Sequence, residues 1–227
     1  MPFSDLRDRV TEVNERIREA AERGGHGQQV RIVAVTKTHP PEAVLAALEA
    51  GIEDVGENRI QEALGKIDEV QNPSVRWHLL GHLQRNKVKF LEPFHMVHSL
   101  DSSRLARTMD TWAVERGSRV NVLVQVNVSG EETKGGFSLH EVARFGRELR
   151  EHEGLHVRGV MTMAPYEAPE HTVRQVFQGA REARVILKAD GHSAEEISMG
   201  MSGDYEIAVE EGATIVRLGT ILFGARS

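Results

Sequence analysis

Val30-Arg31-Ile32-Val33-Ala34-Val35-Thr36-Lys37 is a run of small and β-branched residues that ends on a lysine. Apolar on both alternating faces, it reads as a strand buried on each side, as in a parallel sheet. Thr38-His39-Pro40-Pro41 turns it into a helical pattern from Pro41 to Ala50, which stops at Gly51. The same order recurs down the chain. Glu53 to Asn58 reads as a short strand and its exit, followed by a helix from about Ile60 to Val70. Val75 to Gly81 leads to a basic helix over Gln84 to Leu91, and His95 to Ser99 to a helix capped by Ser102 or Ser103 that runs to Glu115. Arg119 to Val128 is the strongest strand after the first; the loop Ser129 to Phe137 and a helix over Leu139 to Glu151 follow it. Leu155 to Met163 with a helix over Pro169 to Lys188, Ala194 to Ser198 with a helix over Asp204 to Glu211, and Ala213 to Leu218 complete eight strands.

Eight alternations without a Pro/Ser-rich linker, in 227 residues, predict one α/β domain over 1–227: a (β/α)8 TIM barrel. A doubly wound open sheet competes, but the turn after the first strand lacks the Gly-x-Gly-x-x-Gly of a dinucleotide-binding sheet. Nine residues remain after Leu218, too few for a full eighth helix. An extra helix at the N-terminus, from Ser4 to Arg23 with Leu6, Val10, Val13, Ile17 and Ala20 at helical spacing, is expected to fill that gap in the outer ring.

A net charge of −6 and a pI of about 6.0 give no general attraction for nucleic acid or an anionic membrane, while a small anion needs only a local site. With no cysteine, disulfides, thiolate metal sites and thiol nucleophiles are excluded. The N-terminal stretch opens a charged helix without the apolar core of a signal peptide, and no apolar run approaches membrane-spanning length. A cytoplasmic monomer is expected.

In a barrel of this kind sites form at the carboxyl ends of the strands. A lysine there is poorly solvated, which favours the free amine and Schiff-base chemistry, although by itself it is as well explained by a long side chain reaching water. Ser198-Met199-Gly200-Met201-Ser202-Gly203-Asp204 leaves the seventh strand with two glycines and two serines, and Arg217-Leu218-Gly219-Thr220 leaves the eighth with a glycine and a hydroxyl. Either loop suits an anion; either is also an ordinary turn. Closure puts strand eight beside strand one, and alternation sets Val33, Val35 and Lys37 on one face of strand one and Ile215, Arg217 and Gly219 on one face of strand eight. If both faces point inward, the mouth holds an amine, a guanidinium and an anion cradle. Pyridoxal 5′-phosphate asks for an amine for its aldehyde, a cradle for its phosphate and a group facing its ring nitrogen.

The chain resembles the pyridoxal phosphate homeostasis protein family, relatives of the barrel domain of alanine racemase, over nearly its whole length. The resemblance rests on Ala34-Val35-Thr36-Lys37, Gly56-Glu57-Asn58, the run from Trp77 to Lys87, the run from Ser198 to Asp204, and Val216 to Gly224, where only Leu222 departs from the usual isoleucine. It implies that Lys37 holds the cofactor as an internal aldimine, that Ser202, Gly219 and Thr220 bind its phosphate, and that Arg217 faces the pyridine nitrogen. Met199, in the same loop as Ser202, joins the cofactor-binding set. The resemblance further implies a carrier that binds and delivers pyridoxal phosphate, with cofactor-accepting apo-enzymes as partners and no established turnover.

A protonated arginine opposite the ring nitrogen weakens the ring as an electron sink, which suits a holder or a racemase of narrow chemistry. In alanine racemase the second acid/base comes from a further domain; here only Tyr166 and Tyr205 offer a substitute, and Tyr205 reads as packing or solvent-facing. The alternatives are therefore an amino-acid racemase using the same cofactor, and a Schiff-base aldolase-like barrel acting on a sugar phosphate through Lys37. Asn58 suits either a hydrogen bond to the ring hydroxyl or a plain turn. His78, with Leu80 on its face, points beneath the cofactor or is a satisfied core histidine. His78, His82, His95 and His98 have no carboxylate at a familiar ligand spacing, so no metal is expected. Arg85, Lys87 and Lys89 read as a solvated basic face. The charged, glycine-hinged loop Ser129 to Phe137 reads either as a lid that brings Lys134 to the cofactor or as a flexible surface loop.

Overall fold

Eight parallel strands close in chain order, the eighth pairing back onto the first, in a computed structural model that describes residues 3–131 and 135–224. The first half runs α1 (Leu6–Gly24), β1 (Arg31–Val35), α2 (Glu42–Glu49), β2 (Asp54–Glu57), α3 (Ile60–Val70), β3 (Arg76–Leu79), a 3-10 helix (Arg85–Phe90), β4 (Phe94–Leu100) and α4 (Ser103–Val114). The second runs β5 (Val120–Gln125), α5 (Leu139–Leu149), β6 (Leu155–Met161), α6 (Glu170–Ala189), β7 (Glu196–Ser198), α7 (Tyr205–Glu210), β8 (Ile215–Leu218) and α8 (Thr220–Phe223). This is the (β/α)8 barrel expected from the alternation.

The period of two sorts the strand residues into two apolar groups. Ile32, Ala34, Val216 and Leu218 belong to the large core between strands and helices. Val33 and Ile215 belong to a smaller cluster inside the barrel, with Met96, Leu123 and Met161. The register sets Val33 opposite Arg217 and Ala34 opposite Leu218, so neighbours across the β1/β8 seam share a face.

The N-terminal helix takes a place in the outer ring. Helix α8 has only four residues, and α1 packs on α2, α7 and α8 with Leu6, Val10, Val13, Ile17 and Ala20 buried in the main core. Arg9 Nη1 donates to the Leu222 carbonyl at 3.0 Å, and Gln28 Nε2 to that of Val209 at 2.9 Å. One element differs in kind from expectation. The basic segment after β3 is a six-residue 3-10 helix, in keeping with the short runs that this winding forms, with Val88 buried within it and Leu91 buried at its end.

Candidate functional site

Lys37 lies two residues past Val35, the last residue of β1, half-buried at the barrel mouth, and the main chain on both sides of it is clamped by α3. Lys66 Nζ donates to the Thr36 carbonyl at 2.7 Å, and the Thr38 N–H donates to Glu62 Oε1 at 2.5 Å. Lys66 also pairs with Glu57 Oε1 at 2.6 Å and Glu62 at 3.1 Å, while the Thr36 hydroxyl donates to Glu57 at 2.6 Å. Burial pushes the Glu57 carboxyl up, against the pull of Lys66 and Thr36. Thr36 and Glu57 thus face outward toward α3, and alternation turns Lys37 toward the mouth.

Inside the barrel the polar side chains form one continuous chain. Arg217 Nη1 donates to Ser198 Oγ at 2.7 Å and Nη2 to the Thr162 carbonyl at 3.0 Å. Ser198 Oγ lies 2.9 Å from His98 Nδ1, His98 Nε2 lies 2.9 Å from His78 Nδ1, and His78 Nε2 lies 2.8 Å from Asp54 Oδ1. Arg76 closes the far end on both Asp54 oxygens at 2.9 and 2.6 Å. Burial pushes Arg217 down to about 10, so it stays cationic at neutral pH. Burial also pushes both histidines down, which keeps them neutral. Burial raises Asp54, but the bonds from Arg76 and His78 outweigh it and hold the carboxyl below the usual carboxylate range.

The loops after β7 and β8 meet. Ser202 Oγ accepts the Ile221 N–H at 3.2 Å, and the Gly200 carbonyl accepts the Arg217 N–H at 2.9 Å. Gly200 is required here twice: its φ is +91°, and a Cβ would sit 2.6 Å from that of Ala208 in α7. Among the described residues, the main-chain N–H groups of Ser202, Gly203, Gly219 and Thr220 have no hydrogen-bond partner. Four such donors and two hydroxyls make a set suited to a phosphate group.

The other residues singled out from the sequence fall in different places. Asn58 is half-buried at the mouth, where Gly81 lets β3 come close: a Cβ there would lie 2.2 Å from the Asn58 carbonyl oxygen. Met199 is fully buried in the outer core, its N–H bonded to the Ile215 carbonyl at 3.1 Å. His78 uses both ring nitrogens within the barrel and reaches Arg217 only through His98 and Ser198. Tyr205 is 3% exposed and packs in the outer core, away from the barrel interior, whereas Tyr166 is 88% exposed. Lys134 lies outside the described residues. The described ends of its loop are held to β5, with Gln125 Nε2 donating to the Gly135 carbonyl at 2.7 Å and the Phe137 N–H to the Gln125 carbonyl at 2.9 Å.

Sequence reasoning missed the Glu57, Glu62 and Lys66 clamp, because Lys66 reads as one more charge on a helix; its helical spacing from Glu62 was the only local signal. It also missed Asp54 as the carboxylate for His78, which cross-strand register supplies: Asp54 faces Arg76 and Gly56 faces His78. Among the described residues no three His, Asp or Glu side chains gather as a metal site.

Taken together, fold and mouth define a (β/α)8 barrel with a lysine just past strand one, an arginine buried in the interior, and unpartnered N–H groups in the loops after strands seven and eight. The family described as "Alanine racemase, N-terminal domain" matches residues 9–227. The pyridoxal phosphate homeostasis protein of Aquifex aeolicus is 40% identical over 222 residues, covering 96% of this chain and 97% of its own. PipY of Synechococcus elongatus, solved with PLP bound, superposes with a TM-score of 0.85 at 33% identity, covering 96% of this chain and all of its own. Alanine racemase of Clostridium difficile shares the fold alone, with a TM-score of 0.76 at 16% identity over 96% of this chain and 56% of its own. The chain belongs to the pyridoxal phosphate homeostasis protein family.

Proposed function

We propose that this protein binds pyridoxal 5′-phosphate at the barrel mouth, buffers its free concentration and delivers it to apo-enzymes without turning over a substrate of its own. The observation that carries the reading is the convergence at one mouth of a lysine clamped on both sides, an interior arginine and a cradle of unpartnered N–H donors. The cofactor's aldehyde condenses with an amine, releasing water. Lys37 supplies that amine, and the grip of Lys66 and Glu62 on Thr36 and Thr38 fixes where its side chain starts. Ser202, Gly203, Gly219 and Thr220 hold the phosphate, with Asn58 at the mouth beside the ring and Arg217 at the ring nitrogen as a permanent cation. Met199 contributes only main chain, and His78 acts on the ring end through its interior partners.

The same observations bear on the alternatives. A racemase needs a second acid/base over the lysine-bound ligand; Tyr205 is spent on outer packing, and Tyr166 stands in solvent. A sugar-phosphate aldolase would use Lys37 and the cradle but has no use for a cation buried beneath them. Titrating the purified protein with pyridoxal phosphate, and with pyridoxal as the analogue lacking phosphate, separates these readings by absorbance. The phosphate form is expected to give a coloured, saturable complex and pyridoxal a much weaker one. A protein that stays colourless, or that racemises an amino acid once loaded, contradicts the carrier.

A further inference from the structure

The polar chain inside the barrel runs in one direction only, and that direction follows from its two ends. Arg217 can only donate, and the Asp54 carboxylate can only accept. His78 therefore carries its proton on Nε2, toward Asp54 at 2.8 Å, and being neutral it offers a bare Nδ1. His98 must then donate from Nε2 across 2.9 Å and offer its own bare Nδ1, to which the Ser198 hydroxyl donates across 2.9 Å. Ser198 Oγ is left to accept the Arg217 guanidinium at 2.7 Å. Every bond points from the mouth toward Asp54, and every member is buried. The reverse order would need a cationic His78 or His98 in an interior that already holds Arg217 and faces Arg31 and Arg76.

We infer that Asp54, His78, His98 and Ser198 are positioning residues for Arg217: the carboxylate at the amino end of the barrel orients and polarises the guanidinium that meets the ligand's ring nitrogen at the other end. Without the chain, Arg217 keeps one side-chain-independent acceptor, the Thr162 carbonyl at 3.0 Å, and its second N–H edge is unpaired. A guanidinium so placed can turn toward Asp204, which lies close enough to interact with it electrostatically. The groups that face the chain are Asp54 and Arg76 at its floor, Arg31 and His95 beside His78, and Asp204 at the mouth. This inference rests on the mouth being a pyridoxal phosphate site.

Two measurements test it, one of which needs no cofactor. Imidazole nitrogen NMR of the protein alone should find His78 and His98 neutral and protonated on Nε2 between pH 6 and 8; an Nδ1-protonated or cationic form of either overturns the chain. The second compares Ser198→Ala with Ser198→Thr, the latter keeping the hydroxyl, in protein loaded with pyridoxal phosphate. Ser198→Ala should shift the absorbance maximum and its pH profile and hold the cofactor about tenfold more weakly, the effect of one lost charge-assisted bond; Ser198→Thr should restore both. Equal spectra and affinities in both variants, at whatever stability, overturn the inference. Failure of the unsubstituted protein to take up cofactor overturns the site reading instead, and with it the ring-nitrogen role, while the NMR result still decides whether the chain exists.

Discussion

Lys66 does for Lys37 what no residue of the strand itself can: it ties down the carbonyl just before it. Its ammonium is 6% exposed and Glu57 fully buried, so removing the cation leaves a carboxyl in the core with neither water nor a counter-charge. Lys66→Met is expected to cost about 3 kcal/mol, measured by urea unfolding, and pairing it with Glu57→Gln should recover most of the loss. A double variant as unstable as the single one would show that the pair is not the source. At this scale the sequence was legible where a single strand carried the information. Val33, Val35 and Lys37 could be placed on one face by alternation alone, and Arg217 likewise. Interactions that join distant segments were not, because they depend on register: Ser198 and His98 are 100 positions apart. Replacing Arg217 by glutamate is expected to change the spectrum of the cofactor-loaded protein, and an unchanged spectrum would place the arginine away from the ring.

The N-terminal helix behaves as a member of the barrel's ring. Gly24 ends α1 directly against α7, where a Cβ would lie 2.4 Å from the Glu210 carbonyl oxygen, with no flexible side chain to yield. Gly24→Val should therefore lift α1 from α7 and lower stability by roughly 1–3 kcal/mol, read as a fall in Tm. A neutral effect would mean that α1 docks loosely. That the helix packs on a core could be read from the helical spacing of Leu6, Val10, Val13, Ile17 and Ala20, all of them buried. The 3-10 winding of Arg85–Phe90 could not, since a six-residue segment offers too few positions to tell a period of 3.0 from 3.6.

The whole molecule places neutral histidines and charged arginines in one barrel interior, and its stability should record that against pH. His78 and His98 are held low by burial, so as pH falls through about 6.5 the unfolded chain takes up protons that the native one refuses. Stability is thus lost on acidification, by roughly 1–2 kcal/mol between pH 7.5 and 6.0 in urea unfolding. Asp54, held low in the folded state, extends the loss below about pH 3.9. A flat profile from 7.5 to 6.0 would mean that the interior histidines take up protons as readily as those of the unfolded chain, and a rise would mean that they are charged. The barrel was legible from eight alternating segments; its polar filling was not, since helical and strand periods say which side chains point inward but not which of them meet.

The central claim is that this barrel carries its cofactor on one lysine. Borohydride reduction of the protein loaded with pyridoxal phosphate, followed by peptide mapping, tests it most directly. A single reduced adduct on Lys37, absent in Lys37→Ala, is the predicted result; an adduct on another lysine with Lys37 unmodified would contradict it.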